Sequence, residues 1–507
     1  MNTATKMKIA EVYARYEADE KRLMKPINLP GFLGGMAIMI PAYCFVVPLT
    51  ILYQSSKFLF GSPNKEILIL PESEDPEVFP AVQDLTPHCD RKYDLVLLGC
   101  TGFTGSLAAE YLAERYGIHQ DVKWAIAGRS QAKLDALKQN IAKKLGNDDA
   151  FIKGLDTIVC DTSQRSTLHA LASNTRAVIS TAGPFYAYGT YVVEFCAKYG
   201  THYADITGEV DWSQQMIALY DDIAQRTGAK IVSFCGHDSV PWDLSTAKLA
   251  DVLKAECNDD LVDVKFYDES MGKPSGGTLA TATLAMDRLG SAPNFAFDPF
   301  YRTPDGSRSE YKTKIANPML PIQCTPTLGH MKSKWAAPFV MADVNGAVVK
   351  RSNALQGTAN LTYQESMTQH DWKNAMLTSM GLGLGVAALL NPWTGGLISK
   401  YLFPQPGEGP SKKDFERSFL LISGIGVGSR GNVAESAFYF PKDAGYYYTS
   451  RMLVESGLCL AMDMDSTKGS NRGRGGFMTP ATAMGDALLA RLMDIGALFA
   501  CEIRSRM

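Results

Sequence analysis

Residues Tyr93 to Lys133 read YDLVLLGCTGFTGSLAAEYLAERYGIHQDVKWAIAGRSQAK. The apolar run Leu95-Val96-Leu97-Leu98 has the character of a strand buried on both faces, and it stops at Gly99-Cys100-Thr101-Gly102-Phe103-Thr104-Gly105. A helix with an apolar side at Ala108, Ala109, Leu112 and Ala113 follows, and then a second strand, Lys123 to Gly128, that ends on Arg129-Ser130. Strand, glycine turn, helix and strand in this order predict a dinucleotide-binding unit, although the spacing is GxxGxxG and not the commoner GxGxxG. Gly99 would permit the tight turn, Gly102 a close approach of backbone to a pyrophosphate, and Gly105 the packing of helix on sheet. The helix N-terminus would face the phosphates.

The end of the second strand selects between cofactors. NAD-binding units place Asp or Glu there to hold the ribose 2′-hydroxyl, whereas this chain has Arg129, Ser130 and Lys133. A cation and a hydroxyl suit a 2′-phosphate, so the expected cofactor is NADP(H); the plainer alternative is a solvated charge cluster at a helix start.

Further strands are expected at Thr157 to Cys160, Ala177 to Thr181, His202 to Ile206 and Lys230 to Phe234, alternating with helices. That pattern predicts an α/β fold, a Rossmann doubly wound parallel sheet over residues 92–235. Beyond Gly236 the β-rich stretches Leu261 to Tyr267, Phe339 to Val349 and Val433 to Tyr439 predict an α+β substrate domain over 236–475, with helices Thr278 to Leu289 and Tyr446 to Leu460. Residues 466–477 read as a flexible loop, and a C-terminal helix, Met484 to Phe499, is expected within 476–507.

Several stretches resemble the saccharopine dehydrogenase-like oxidoreductases, whose bacterial members are called trans-acting enoyl reductases. These are the turn GCTGFTG, the AGR ending of the second strand, Thr181 to Phe185, Ala204 to Glu209, Gly236 to Leu244 (GHDSVPWDL), Ser275 to Thr278, Val349 to Ser352, Pro404 to Pro410 and Thr479 to Gly485. The similarity runs from about Tyr93 to the C-terminus. It implies an NADP(H)-dependent enzyme that reduces a carbon–carbon double bond, with a lipid or acyl-type substrate and a place in lipid or glycolipid metabolism. Eukaryotic members of the group are associated with lipid droplets. The lysine-pathway name is a poor guide to substrate, since true saccharopine dehydrogenases share mainly the nucleotide-binding part.

With 507 residues, a formal net charge of −3 and no basic clusters, the composition suits a globular enzyme and argues against nucleic acid as a partner. Ten scattered cysteines without a CxxC pair suit a reducing compartment, and seven histidines without HxxxH spacing give no reason to expect a metal.

Between Lys25 and Lys57 no residue carries a charge, and the centre, Phe32 to Tyr53, is apolar enough to enter a membrane. Pro41 and Pro48 either kink one helix or turn a hairpin; a buried helix of a soluble protein is the plainer reading. Ile9, Val12, Tyr13 and Tyr16 recur at helical spacing, so residues 6–23 are expected to form an amphipathic helix on a surface, making 1–62 a membrane segment. Residues 63–91 read as a linker. A second uncharged stretch, Asn374 to Ser399 within an insert of about 374–403, is expected to dip into a membrane or to cover a substrate tunnel as a hairpin. The expected location is an intracellular membrane or a lipid droplet.

Ligands sit outside the carboxyl ends of a doubly wound sheet. That rule nominates Thr181, Ala182, Gly183 and Pro184 for the nicotinamide ribose and Asp161 for the adenine side, although a helix cap explains Asp161 equally well. Asp205 and Glu209 are expected to hold a ribose, a substrate group or a helix start, and Gly276-Gly277-Thr278 to offer backbone N–H groups. Tyr188, His237 and Asp238 are the candidate catalytic groups, with His237 as proton donor or, more plainly, a structural histidine. Rival readings are a saccharopine-type amino-acid dehydrogenase and a non-catalytic NADP(H)-binding membrane protein.

Overall fold

The computed structural model describes residues 7–20, 29–60, 79–118, 121–146, 149–271, 312–318, 320–324, 334–357, 359–391, 394, 409–463 and 474–505. Strands are β1 (Tyr93–Leu98), β2 (Trp124–Gly128), β3 (Asp156–Val159), β4 (Thr175–Ser180), β5 (His202–Asp205), β6 (Lys230–Val232), β7 (Leu261–Met271), β8 (Thr313–Ile315), β9 (Ile322–Gln323), β10 (Trp335–Ala337), β11 (Leu361–Gln369), β12 (Phe419–Gly428), β13 (Val433–Phe440), β14 (Gly476–Met478) and β15 (Leu498–Ser505).

One sheet is wholly parallel, in the order β14-β6-β5-β4-β1-β2-β3. Leu95, Val96, Leu97 and Leu98 of β1 are all buried, because helices cover both faces and each successive side chain meets apolar packing. The reversal of strand order on either side of β1 leaves a crevice at the carboxyl edge, which is where such sheets bind ligands.

The second sheet is mixed, in the order β15-β13-β12-β7-β11-β10-β9, with β8 paired to β11. β7 runs parallel to β11 and antiparallel to β12. Helix Val240–Cys257 joins the two sheets, and its Trp242 is fully buried in a core that also takes in Leu95 of the first sheet and Phe266 of the second.

Residues beyond 475 correct the expectation of a simple C-terminal helix. β14 extends the parallel sheet beside β6, a helix spans Gly485–Asp494, and β15 forms an edge of the mixed sheet. Three residues give no strand periodicity, so the partner β6 and not local sequence makes β14 a strand. Phe339 to Val349 is likewise corrected: Ala342–Gln356 is a helix, since Asn345, Val348, Val349 and Ser352 share a buried side at helical spacing despite the β-branched pair. The expected helix Thr278 to Leu289, most of the 466–477 loop and the Ser275 to Thr278 motif lie outside the described residues.

The amphipathic N-terminal helix is Ile9–Glu20, and the surface it covers is protein. Ile9, Val12 and Tyr16 are buried against Phe419, Leu421 and Tyr439 on the outer face of the mixed sheet. A linker over 63–91 is shortened at its far end, because Phe79 already packs on Phe195 and His169, and Arg91 is buried with its guanidinium bonded to the Thr175 carbonyl at 2.7 Å.

The two uncharged stretches form two helices, Leu29–Phe60 and Trp372–Leu390. Pro41 and Pro48 lie inside the first helix, so no hairpin turns there. The helices run side by side and parallel: Phe32 meets Trp372, Met39 meets Gly381, and Thr50 donates a hydrogen bond to the Ala387 carbonyl at 2.9 Å. Leu29–Thr50 is long and apolar enough to cross a membrane, and almost none of it is buried in the protein.

Candidate functional site

The glycine turn is built by close approach. Gly99 has φ +80, a backbone conformation that disfavours side chains. A Cβ on Gly105 would come within 2.4 Å of the Gly99 carbonyl oxygen and 2.6 Å of Thr181 Oγ1, so helix Phe103–Tyr116 can pack here only without a side chain. Gly102 differs: a Cβ there would find only the Gly99 carbonyl oxygen, at 3.5 Å. The protein leaves that side of the turn open, and no side chain caps the helix there. This is the space and the donor set a pyrophosphate needs.

Thr181 Oγ1 donates to the Gly99 carbonyl at 3.0 Å, which fastens the Thr181-Ala182-Gly183-Pro184 loop after β4 to the turn. Phe103 is half-buried beneath Tyr446, with ring centres 5.4 Å apart, and a Cβ on Gly409 would come within 2.4 Å of its ring. Thr101 is exposed and Thr104 half-buried at the start of the helix.

Arg129 is exposed just beyond β2, and the half-exposed Tyr188 ring stands 5.8 Å from its guanidinium. Ser130 caps helix Gln131–Lys144, its Oγ accepting from the Lys133 backbone N–H at 3.4 Å. Asp161, after β3, accepts from the Ser163 N–H at 3.0 Å and the Ser163 hydroxyl at 2.8 Å. Those bonds chiefly, with Arg129 adding to them, hold its carboxyl below the usual range. Asp161 therefore forms the local turn and also borders the cationic corner. Tyr188 belongs to that corner.

After β6 the chain bends sharply into Gly236-His237-Asp238-Ser239. Phe234 takes φ 64, and buried Asp205 secures it, accepting from the Phe234 N–H at 3.3 Å and from Ser233 Oγ at 3.1 Å. Burial pushes the Asp205 carboxyl up to about 7. Glu209 is a cap: its two oxygens accept from the N–H groups of Phe185 and Tyr186 at 2.7 and 2.9 Å. Neither acid is spent on a ribose.

His237 lies near the joint of the two sheets. Its Nδ1 is 3.0 Å from Asp238 Oδ1, its backbone N–H donates to Thr449 Oγ1 at 2.9 Å, and its Nε2 is buried without a hydrogen-bond partner. Burial opposes the imidazolium, but Asp238, then Asp443 and Glu365, outweigh it and raise the pKa above the ordinary histidine value. From the mixed sheet come two fully buried acids that sequence reading missed, Glu365 of β11 and Asp268 of β7. Asn345 Nδ2 donates to Glu365 at 2.9 Å, Ser239 Oγ donates to Asn345 Oδ1 at 3.3 Å, and Trp242 Nε1 reaches both Asp268 oxygens at 3.2 Å. Burial raises both carboxyls, that of Glu365 to about 7; Glu365 raises Asp268 further, whereas hydrogen bonds from Tyr363, Asn345 and Asp268 pull Glu365 back down. A strand acid announces itself as inward-facing only once register is known, which is why neither was visible in the sequence.

Three of the motifs singled out in the sequence meet at one buried knot. Asp243 of GHDSVPWDL accepts from Ser352 Oγ and, at 2.8 Å, from the Ala481 N–H, while Ser352 and Thr479 hydroxyls lie 2.6 Å apart. The knot ties helices Val240–Cys257 and Ala342–Gln356 to the segment leaving β14. These residues tie the two sheets together.

Residues 95–232 match the saccharopine dehydrogenase NADP binding domain. The chain is 33% identical over 440 residues to the trans-acting enoyl reductase of Mycobacterium bovis, with 81% of this chain and 97% of the relative covered. It is also 33% identical over 434 residues to that of Mycobacterium ulcerans, with coverage of 80% and 97%. Among solved structures it is similar to saccharopine dehydrogenase (L-Glu forming) of Saccharomyces cerevisiae, at 11% identity and a TM-score of 0.46, covering 81% of this chain and 99% of that one.

Proposed function

We propose that this chain, which belongs to the saccharopine dehydrogenase-like family of the trans-acting enoyl reductases, saturates a carbon–carbon double bond in a lipid or other acyl-type substrate. It is an NADP(H)-dependent oxidoreductase with a Rossmann domain. The observation that carries the finer reading is the charge around His237. The charged groups that act most strongly on it are the carboxyls Asp238, Asp443 and Glu365. An amino-acid substrate with several carboxylates would call for cations there. A neutral enoyl group needs none.

Bound NADPH would supply hydride to the β-carbon of a polarised enoyl group. The chain's own work is to place and to protonate. The open side of Gly102 admits the pyrophosphate, Arg129 pairs with the 2′-phosphate beside Tyr188, and Thr181 to Pro184 border the nicotinamide ribose. His237 is oriented through Nδ1 by Asp238, which leaves Nε2 to pass a proton to the α-carbon as negative charge develops there. We assign the acid–base work to His237 and Asp238, and give Tyr188 a place in cofactor binding.

A lipid-facing location completes the reading. The two apolar helices present apolar surface, with Leu29 58% and Ile38 75% exposed on the first, and an enzyme that draws its substrate from a lipid layer gains by resting on it.

Purified full-length protein with NADPH and a series of unsaturated acyl lipids tests the assignment, with saccharopine plus NADP⁺ as control. Nicotinamide absorbance and product mass are followed. Reduced lipid product is the expected result; turnover of saccharopine alone would overturn it, and silence on both favours a non-catalytic NADP(H)-binding role.

A further inference from the structure

The paired helices have all four ends tied to one folded body. Upstream of Leu29, helix Ile9–Glu20 is docked on the mixed sheet, where Tyr13 bonds Glu435 at 3.2 Å and Tyr439 bonds Asp19 at 2.7 Å. Downstream of Phe60, Phe79 is already packed on the Rossmann domain. Trp372–Leu390 starts directly from β11, with Asp371 capping it, and the chain after it is back at Phe103 by Gly409.

Leu29–Thr50 is long enough to cross a bilayer. Had it crossed, residues 51–78 would have to cross back, yet they carry Lys57, Lys65, Glu66, Glu72, Glu74, Asp75 and Glu77, and the longest uncharged run after Lys57, residues 58–64, is only seven residues. The return from Leu390 to Gly409 is interrupted by Lys400 and three prolines. Neither return path can span hydrocarbon. Both uncharged runs are also flanked by lysine at each end, Lys25 and Lys57 on one, Lys373 and Lys400 on the other, as suits helices whose two ends both reach a headgroup layer.

We propose that the parallel pair enters a lipid layer from one side only and leaves by the same side, so that the chain is a one-face membrane protein and not a single-pass one. This rests on the membrane reading above and adds its topology. The occupant of the exposed apolar face is acyl chain of the near leaflet, reached by Leu29, Leu33, Ile38 and Ile40. Helix Trp372–Leu390 follows directly on β11, the strand of Glu365, and the chain is beside Phe103 of the nucleotide turn by Gly409.

The test uses full-length chain on sealed membrane vesicles from the cells that express it, in a Cys89→Ser background because Cys89 is exposed. One added cysteine is placed upstream of the pair, Ala18→Cys, or downstream, Val82→Cys, both at exposed positions. A membrane-impermeant maleimide should label the two sites alike, both before permeabilisation or both only after it. Labelling of one site at once and the other only after detergent would overturn the one-sided topology while leaving membrane binding intact. Protein that remains in the supernatant would overturn the membrane reading and the topology with it. In a second measurement, purified protein is floated with phosphatidylcholine–phosphatidylserine vesicles. Leu33→Glu with Ile38→Glu should lower the floated fraction at least tenfold with NADPH affinity unchanged; unchanged flotation, or a soluble dimer that the double variant dissociates, would overturn the lipid occupant.

Discussion

The guanidinium of Arg129 stands 5.8 Å from the centre of the Tyr188 ring, across the opening beyond β2. Two residues 59 positions apart in sequence thereby form one corner, a cation backed by an aromatic face, with Asp161 near enough to feel the same charge. A cation held this way is presented, not wandering, and a planar guanidinium can meet a phosphate with two hydrogen bonds.

Arg129→Ala should therefore weaken NADPH far more than NADH. A charge-assisted contact contributes roughly 1.5–3 kcal/mol, or about ten- to a hundredfold in affinity. Titration of both cofactors against both proteins checks it; equal losses would remove Arg129 from the 2′-phosphate.

Gly102 and Gly105 should respond differently to the same substitution. Gly102→Val projects into the open side of the turn, so the fold should survive while NADPH binding is lost. Gly105→Val meets the Gly99 carbonyl and Thr181 and should lower the melting temperature sharply, as overpacking costs typically 1–3 kcal/mol or more. Normal NADPH affinity in a folded Gly102→Val protein would show that the open side is not the phosphate site.

Much of the fold could be read in the sequence because its signals are local. A four-residue apolar run, a glycine turn and an apolar helix side are enough to announce β1 and the helix Phe103–Tyr116, and their repetition announces a parallel sheet. What could not be read depends on pairing at a distance. Gly476-Phe477-Met478 is a strand only because β6 lies beside it, and Ile9–Glu20 shows an apolar stripe without showing whether lipid or the mixed sheet will cover it. The same limit separates the site residues. Loop positions after β1, β2, β4 and β6 follow from strand order alone, so the edge on which Gly102, Arg129, Thr181 and His237 stand was legible. Glu209 as a cap, Asp205 as the fastening of Phe234 and Glu365 beside Asp268 are contacts between strands and loops far apart in the chain, and nothing in their local sequence marks them.

His237 gives a pH signature. The donor must be protonated to act, and a pKa raised by Asp238 against the cost of burial keeps it so to higher pH than an ordinary imidazole. The rate of reduction should hold at low pH and fall as pH rises through that raised value. His237→Gln should cost about 10²- to 10⁴-fold and flatten this limb. Retention of the limb in the variant would assign the proton to another group.

Glu365 should control a different pH dependence, that of stability. Burial raises its carboxyl and that of Asp268, so the folded chain binds protons more tightly than the unfolded one. The stabilisation is fully present below the unfolded carboxyl range, about pH 4, and that from Glu365 is lost as pH rises through its folded value of about 7. Glu365→Gln keeps the shape and removes one of the two titrations. Relative to the parent, its melting temperature should gain between about pH 5 and 8. A constant offset at all pH values would mean that the pair does not share its protons.

Tyr16 decides what the N-terminal helix is for. Its ring is fully buried, 5.4 Å from that of Phe419 and 5.6 Å from that of Tyr439, and its hydroxyl donates to Glu269, which Lys334 also holds at 2.7 Å. Tyr16→Phe should remove only the hydrogen bond to a charged group, about 1.5–3 kcal/mol. Tyr16→Ala should cost about 3–5 kcal/mol, the range for a buried aromatic, and expose helix Ile9–Glu20 to protease while the helix pair still floats with vesicles. A melting temperature unmoved by Tyr16→Ala, together with lost flotation, would place the helix on lipid instead of on the sheet and would sever the upstream tie that holds the apolar pair to one side.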